Sequence, residues 1–303
     1  MTDLPPFPLV SVIVPTMCDS SRKGFLCRSL ASIQAQQGVR VELIVVANGP
    51  KQENALASFI AARFSAKVVS LPEANVSKAR YRGLLNSTGD FFCFLDDDDE
   101  FLPDTLQARV QLLLSDGGYD IAATNGYVRT SGDMVLIPEY VASRINKDPI
   151  GAFLLQNWFA SPAAIFRSSS VQPDFFNLSY KYFEWSFLFF RLVSEKKKIV
   201  FVDTNTYRVY RDHPVSASRT PEYSLAESEL LLAAKKLNLP KEVQARLHSK
   251  YLRSLNSRSN FHRVRGELRE AWKVHIRCLL LGGFSYIPYT RFLLLPRRPS
   301  NAT

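Results

Sequence analysis

The residues best suited to chemistry in this sequence are five consecutive acids that directly follow a short apolar run. The acids are Asp96-Asp97-Asp98-Asp99-Glu100, and residues 91–95 before them are all apolar. Such a run, opening after Gly89, predicts a strand buried on both faces. Neighbouring carboxylates repel one another unless a cation lies among them, and oxygen ligands suit Mg²⁺ or Mn²⁺. Because ligands of open α/β sheets bind beyond the carboxyl ends of strands, we expect a metal site here. A solvated acidic loop is the alternative.

Strands and helices alternate along the chain up to the acids. The patterns predict strands over residues 10–15, 41–46, 66–71 and 91–95, and helices over residues 22–37, 53–64 and 75–85. Elements that alternate in this way are typical of βαβ units with a parallel sheet. We therefore predict an α/β fold with a doubly wound, mostly parallel sheet flanked by helices.

After residue 104 the pattern becomes mixed. Helices are predicted over residues 105–114 and 181–195, and strands over residues 120–124, 127–137, 160–166 and 199–203. Residues 221–281 read as mostly helical, with breaks at Pro240 and Gly266. The sequence thus predicts a helical C-terminal extension that follows the sheet-forming part of the chain.

Positive charge is concentrated in the C-terminal part of the chain. The net charge of the 303 residues is +10, yet residues 1–240 hold 25 basic and 25 acidic side chains, whereas residues 241–303 hold 13 and 3. Arginines alternate there with apolar residues, so this segment could lie on an anionic membrane. The alternative is a helical cap with a basic outer face. No recognition motif supports nucleic acid as the partner.

Cysteine usage and the N-terminus bear on the compartment. The four cysteines form no CxxC pair, which favours a reducing environment over a zinc site or a disulfide framework. The first residues lack the pattern of a signal peptide, and no apolar run approaches the length of a membrane span. We expect a cytoplasmic protein, with peripheral membrane contact as a possibility raised by residues 241–303.

Four segments of the first 100 residues resemble family 2 glycosyltransferases, which have the GT-A fold. Their order and spacing match as well as their residues, and a weaker match continues through residues 183–186 and 210–216. The four segments are Val12-Ile13-Val14-Pro15-Thr16, Glu42-Leu43-Ile44-Val45-Val46-Ala47-Asn48-Gly49, Asn75-Val76-Ser77-Lys78-Ala79-Arg80-Tyr81-Arg82-Gly83 and Phe94-Leu95-Asp96-Asp97-Asp98-Asp99.

The resemblance implies a metal-dependent, inverting glycosyltransferase. Its donor would be a sugar linked to a nucleoside diphosphate, its acceptor a saccharide or lipid-linked glycan, and its cofactor Mn²⁺ or Mg²⁺. The expected setting is assembly of a surface polysaccharide, lipopolysaccharide or glycan. It also implies a catalytic domain over residues 1–220, with a nucleotide-sugar half (1–104) and an acceptor half (105–220), followed by a basic helical region (221–303).

Two other functions stay open for the same fold. One is a non-catalytic protein that binds nucleotide sugars, because the family's acid before Asn48 is Ala47 here and its catalytic aspartate is replaced by Glu184. The other is a nucleotidyltransferase, although residues 15–18 lack the Gly-rich basic loop of that class.

The resemblance assigns the donor site to residues at strand ends. Asp96 and Asp98 form its DxD motif, in which Asp98 ligates the metal and Asp96 contacts ribose or metal. Asp97 either joins the nucleotide site or is simply solvated. The remaining nucleotide contacts would come from Pro15, Thr16, Asn48 and Arg80; Asn48 could instead be a turn residue, and Arg80 an ordinary surface arginine.

The resemblance places the acceptor chemistry in the second half. Glu184 would be the base that takes the acceptor proton, or else a salt-bridged helix residue. Arg211 would bind phosphate and His213 would lie near the metal, or both would belong to a structural loop. Trp158 and Trp185 would contact the acceptor sugar, with a place in the core as the alternative.

Overall fold

The computed structural model of the protein describes residues 7–115, 117–178, 180, 182–211 and 221–294. The chain divides into two compact units, Met1–Pro214 and Val215–Thr303. The first is an α/β unit and the second is helical. The predicted boundary after residue 220 falls outside the described residues and stays a prediction.

The first unit is built on one mixed sheet. Its strands are β1 (Leu9–Thr16), β2 (Arg40–Asn48), β3 (Lys67–Leu71), β4 (Phe91–Phe94), β5 (Glu100–Phe101), β6 (Ile121–Arg129), β7 (Asp133–Val135), β8 (Ala164–Arg167) and β9 (Ile199–Tyr210). Its helices are α1 (Lys23–Gln34), α2 (Asn54–Phe64), α3 (Val76–Leu84), α4 (Thr105–Leu114), α5 (Glu139–Ile145), α6 (Pro149–Leu155) and α7 (Glu184–Ser194). Short 3₁₀ turns lie at Ser20–Arg22, Ser161–Ala163 and Pro173–Phe176.

The strands lie in the order β3-β2-β1-β4-β8-β6-β9-β5, and β7 pairs with β6. Strands β1 to β4 are mutually parallel, as the βαβ pattern predicts. Strand β4 is buried along its whole length. Beyond β4 the sheet is mixed, because β8 runs antiparallel to both of its neighbours. Ile13 pairs with Ile44 on one side and Phe94 on the other, so the carboxyl ends of β1, β2 and β4 meet at one edge.

Helix α3 lies close against β1 and β2 at Gly83. A Cβ added there would come within 3.0 Å of Cγ2 of Val46 and nearer still to the side chain of Ile13. Overpacking of this kind costs about 1–3 kcal/mol. We expect Gly83→Ala to lower the free energy of unfolding in urea by that amount. Gly24→Ala is the control, because a Cβ at Gly24 meets nothing within 4 Å; equal losses in both variants would contradict the packing argument.

The second half of the sheet is more continuous than the patterns predict. The strand predicted over residues 199–203 runs on to Tyr210 as β9. Residues 121–129 form one strand, where the patterns predict one over residues 120–124 and another over residues 127–137. Helices α5 and α6 were not predicted, since each spans only seven residues and shows fewer than two full turns of apolar pattern. Phe153 of α6 stacks on Phe189 of α7, with ring centroids 4.3 Å apart.

The second unit consists of α8 (Pro221–Ala234), α9 (Lys241–Val264), α10 (Leu268–Gly282), a 3₁₀ segment (Gly283–Tyr289) and α11 (Thr290–Leu294). The breaks predicted at Pro240 and Gly266 separate α8, α9 and α10. Hydrogen bonds from Ser259 Oγ to the Ala271 carbonyl and from Cys278 Sγ to the Leu252 carbonyl make α9 and α10 an antiparallel pair. Within the described residues, no helix is both long and apolar enough to cross a bilayer.

Candidate active site

The carboxyl ends of β1, β2 and β4 bring the predicted nucleotide residues together. Thr16 Oγ1 donates a hydrogen bond of 2.6 Å to Asp97 Oδ2, and Asn48 Nδ2 donates one of 3.0 Å to the Thr16 carbonyl oxygen. Pro15 is paired with Val46 in the β1–β2 register and is buried. The sheet edge therefore carries Pro15, Thr16, Asn48 and the acids in one place, as the strand-end argument predicts.

Arg80 joins the acids to helix α7. Its Nη2 lies 2.7 Å from Asp96 Oδ1 and its Nη1 lies 2.9 Å from Glu184 Oε1. The residue is 5% exposed, and its guanidinium lies over the Trp185 ring at 5.5 Å. Burial lowers the pKa of Arg80, but the charges of Asp96 and Glu184 outweigh that effect and hold it above its ordinary value. Arg80 is therefore a buried cation that fixes the distance between the acid cluster and the candidate base.

Asp97 turns away from Asp96, toward the start of helix α1. Its carboxylate accepts hydrogen bonds from Arg22, with Nε at 2.8 Å from Oδ2 and Nη2 on Oδ1. With the Thr16 hydroxyl on the same carboxylate, Asp97 is nearly saturated with partners and buried. Asp97 therefore fixes the cluster to β1 and α1, whereas Asp96 and Asp98 present the carboxylates that are not so enclosed.

Asp98 contacts two arginines. Its Oδ2 is 3.1 Å from Arg22 Nη2, and Arg28 Nη2 donates a 2.6 Å bond to its backbone carbonyl. Burial, and then the charges of Asp96 and Asp97, raise the pKa of Asp98 above its ordinary value.

Asp99 and Glu100 serve the second half of the sheet. Asp99 is buried and accepts the backbone N–H of Tyr210 at 3.3 Å, and burial raises its pKa well above the ordinary value. Glu100 pairs with Arg208 on β9. Both therefore tie the end of the acid run to β9.

No three His, Cys, Asp or Glu side chains converge on a possible metal position within the described residues. The predicted ligand His213 lies outside them. Arg211 is exposed just after β9, and its backbone N–H donates to the Arg129 carbonyl at 3.2 Å. The predicted roles of Arg211 and His213 stay predictions.

The two tryptophans assigned to the acceptor lie in an aromatic cluster. Trp158 is 1% exposed, its ring packs edge-on against Phe189 and Phe201, and Nε1 donates to the Pro149 carbonyl at 3.1 Å. Trp158 thus occupies the core position that the sequence left open as an alternative. Trp185 is also buried, beneath the guanidinium of Arg80.

Sequence reasoning missed two arginines beside the acids. Arg22 binds two of the acids, and Arg28 stacks on the Tyr210 ring at 3.7 Å while its Nη2 holds the Asp98 carbonyl. Ser161 also reaches the acids, with its Oγ 3.4 Å from Asp96 Oδ1. The available signal was the position of both arginines in the 3₁₀ turn and helix that directly follow β1. These elements begin at the same sheet edge as the acids.

Comparisons with known proteins agree on the family. Residues 11–217 match the family described as Glycosyl transferase family 2. A GalNAc(5)-diNAcBac-PP-undecaprenol beta-1,3-glucosyltransferase of Campylobacter jejuni is 26% identical over 224 residues, which is 69% of this chain and 67% of that protein. An uncharacterized glycosyltransferase of Rickettsia prowazekii is 28% identical over 122 residues, 40% of this chain and 36% of that protein.

Solved structures of TarS from S. aureus show the same fold. TarS 1–349 in complex with UDP-GlcNAc has a TM-score of 0.62 at 17% identity. The superposition covers 89% of this chain and 79% of the TarS chain. TarS 1–349 without a named ligand has a TM-score of 0.60 at 16% identity, covering 91% and 82%. The predicted α/β fold of GT-A type is thereby confirmed. The family match spans most of the first unit, and this chain belongs to glycosyltransferase family 2.

Proposed function

We propose that this glycosyltransferase moves a sugar from a nucleoside diphosphate to a hydroxyl of a lipid-linked glycan, with inversion and with a divalent cation, during assembly of a cell-surface glycan. The arrangement that carries the proposal is the Arg80 bridge, which holds Asp96 and Glu184 on opposite ends of one guanidinium. A leaving diphosphate at the acids and an acceptor at Glu184 would then lie side by side.

In this proposal Glu184 takes the acceptor proton. Oε1 of Glu184 accepts a hydrogen bond from Arg80 Nη1, whereas Oε2 of Glu184 has no hydrogen-bond partner within the described part of the chain. As the proton passes to Oε2, the acceptor oxygen bonds to the anomeric carbon and the bond from that carbon to the diphosphate breaks. A single displacement of this kind inverts the anomeric centre.

The acid cluster has the chemistry of a divalent cation site. Hard cations prefer carboxylates, and Mg²⁺ is usually held by one or two of them together with substrate phosphates. Burial, and then the charges of Asp96 and Asp97, raise the pKa of Asp98, and a cation at this position would favour its ionised form. Asp98 would hold the cation, with Asp96 beside it, and the cation would neutralise charge on the departing diphosphate.

We expect Asp98→Asn to weaken donor binding in the presence of Mn²⁺ by at least about tenfold, because one ligand to the cation is lost. Isothermal titration of the nucleotide with and without Mn²⁺ measures the effect. Asp104→Asn is the control, since Asp104 is exposed in a left-handed conformation that Asn also adopts. Metal-dependent binding that survives in Asp98→Asn would remove Asp98 from the metal site.

The donor and acceptor classes are supported by the relatives. The TarS structures hold UDP-GlcNAc or UDP, and the C. jejuni relative acts on an undecaprenol-linked glycan. We therefore propose a UDP-sugar as the first donor to test and a polyprenyl-linked acceptor. Such an acceptor is membrane-bound, so the proposal places the enzyme at the cytoplasmic face of a membrane.

The second unit supplies a surface suited to that membrane. Half of the large apolar side chains that are exposed in the described part of the chain lie between residues 264 and 294, including Leu280 at 81% and Phe284 at 88% exposure. Arg269, Lys273 and Arg277 lie on the exposed side of α10 that leads to Leu280. Apolar side chains beside basic ones favour an anionic lipid surface.

We expect the chain to float with vesicles of phosphatidylglycerol and phosphatidylcholine, and much less with phosphatidylcholine alone. The double change Leu280→Ser and Phe284→Ser should reduce binding at least about tenfold, because the inserted apolar area is lost. Leu155→Ser, at an exposed apolar residue of the first unit, is the control. Equal binding by all three proteins, or no binding to anionic vesicles, would contradict membrane contact through this surface.

A further inference from the structure

The second unit contains a cleft of its own, separate from the acid cluster of the first unit. It lies between helices α9 and α10 and the segment from residue 283 to α11, and its volume is about 360 Å³. That volume lies within the usual range of small-molecule sites. Nothing in the proposed transfer reaction uses it.

One wall of the cleft is polar and comes from α9. Asn256, Asn260 and Arg263 follow one another at the spacing that places side chains on one helix face. Arg263 donates from Nε and Nη2 to Asn260 Oδ1, at 3.1 and 3.0 Å, which leaves the NH₂ group of Asn260 as a donor. Within the described residues, the side chains of Asn256 and Ser257 have no hydrogen-bond partner, so they are available to a ligand.

The opposite wall is aromatic. Tyr289 and Phe292 line it, and both rings are partly exposed, with centroids 6.5 Å apart. At the back, His275 is buried and its Nε2 lies 2.8 Å from Thr290 Oγ1. The lining holds no carboxylate. The cleft therefore offers amide and hydroxyl groups on one side and ring faces on the other, and its lining carries no negative charge.

We propose that this cleft binds a saccharide. A sugar ring has an apolar C–H face, which an aromatic ring covers, and a rim of hydroxyls, which amides can both donate to and accept from. One or two sugar units match a cleft of this size. Saccharide binding itself does not require the transfer reaction. The identification of the bound saccharide as part of the acceptor glycan rests on the proposed function.

Saturation-transfer NMR and calorimetry on the full chain test the proposal. The probes are N,N′-diacetylchitobiose, maltose and an N-acetylgalactosamine disaccharide. We expect at least one to bind, and Tyr289→Ala and Asn256→Ala each to weaken that binding at least about fivefold, as expected when one well-placed contact is lost. Asn256 is half-buried on helix α9, its side chain has no hydrogen-bond partner among the described residues, and Ala favours a helix, so we expect Asn256→Ala to keep the fold. Tyr140→Ala, at an exposed tyrosine of the first unit, is the matched control.

UDP binding, measured in the same samples, separates this proposal from the proposed function. Saccharide binding that weakens in both cleft variants while UDP binding is unchanged supports the cleft. Absence of binding by all three probes, or binding that is equal in wild type and both cleft variants, would overturn it. If the wild-type protein does not bind UDP, that result counts against the transferase proposal. It does not affect the conclusion about saccharide binding in the cleft.

Discussion

Glu184→Gln is expected to lower kcat by about 10²–10⁴-fold, the usual contribution of a general base. The amide has the size of the carboxylate, and its oxygen can still accept the hydrogen bond from Arg80 Nη1. It cannot take a proton from the acceptor. The Kd of the donor nucleotide should therefore change by no more than about twofold, because the loss falls on the transition state and not on ground-state binding.

Glu195→Gln is the matched control for this change. Glu195 follows the same helix and also pairs with an arginine, Arg191, at 3.4 Å, but at the surface. Its variant should keep full activity. Transfer at the wild-type rate in Glu184→Gln would show that another group is the base. A wild-type protein that binds donor nucleotide but never turns over would favour the non-catalytic alternative.

Arg80→Leu is expected to abolish transfer and to destabilise the first unit. The change leaves Asp96 and Glu184 without their shared cation, and breaking a buried ion pair by removing one partner costs about 3–5 kcal/mol. Both carboxylates keep some exposure, so we expect the lower end of that range in chemical denaturation. Repulsion between them would also move Glu184 away from its position in the site.

Arg80→Lys separates charge from geometry. An ammonium keeps the positive charge but lacks the fork that reaches two carboxylates at once. It should recover most of the stability and little of the activity, with kcat at least about tenfold below wild type. Arg82→Leu, at an exposed position of the same helix, is the control. Wild-type kcat in Arg80→Lys would mean that the bridge does not position the reacting groups.

The parallel half of the sheet was predictable because its strands are buried on both faces. Continuous apolar runs such as that of β4 have no other stable environment in a soluble domain. Local chemistry marks the start of α3 as well: the side chain of Asn75 accepts the Lys78 N–H at 3.0 Å and caps the helix, a role that Asn commonly fills. The strand ends in turn predicted where the acids would meet Thr16 and Asn48.

The length of β9 could not be predicted, because polar residues interrupt its apolar pattern. Thr206 lies in the middle of the strand and is buried, yet it is satisfied by Arg109, whose Nη2 donates to its hydroxyl at 2.8 Å. Arg109 is itself fully buried, and burial lowers its pKa to about 10. It also donates to Thr124 on β6. Hydrogen-bond partners this distant in sequence leave no signal in the local pattern. A strand with buried polar residues is therefore mistaken for a loop when only the sequence is known.

The arginines around the acids were missed for a related reason. Arg22 and Arg28 sit on a short turn and a helix whose charged side chains look solvent-facing in the sequence. Only the meeting of β1 and β4 puts them within reach of Asp97 and Asp98. Trp158 was assigned to the site but lies in the core. The sequence alone does not distinguish a ring that stacks on a sugar from a ring that packs in the core.

The most direct test of the proposed function is calorimetric titration of the full chain with UDP, GDP, CDP and dTDP, each with and without Mn²⁺. The proposed function predicts that one nucleotide, with UDP as the first candidate, binds at least about tenfold more tightly when Mn²⁺ is present, because a cation held by Asp98 would neutralise charge on the diphosphate. Absence of binding by all four nucleotides, with or without the metal, would contradict a donor site at the end of β4.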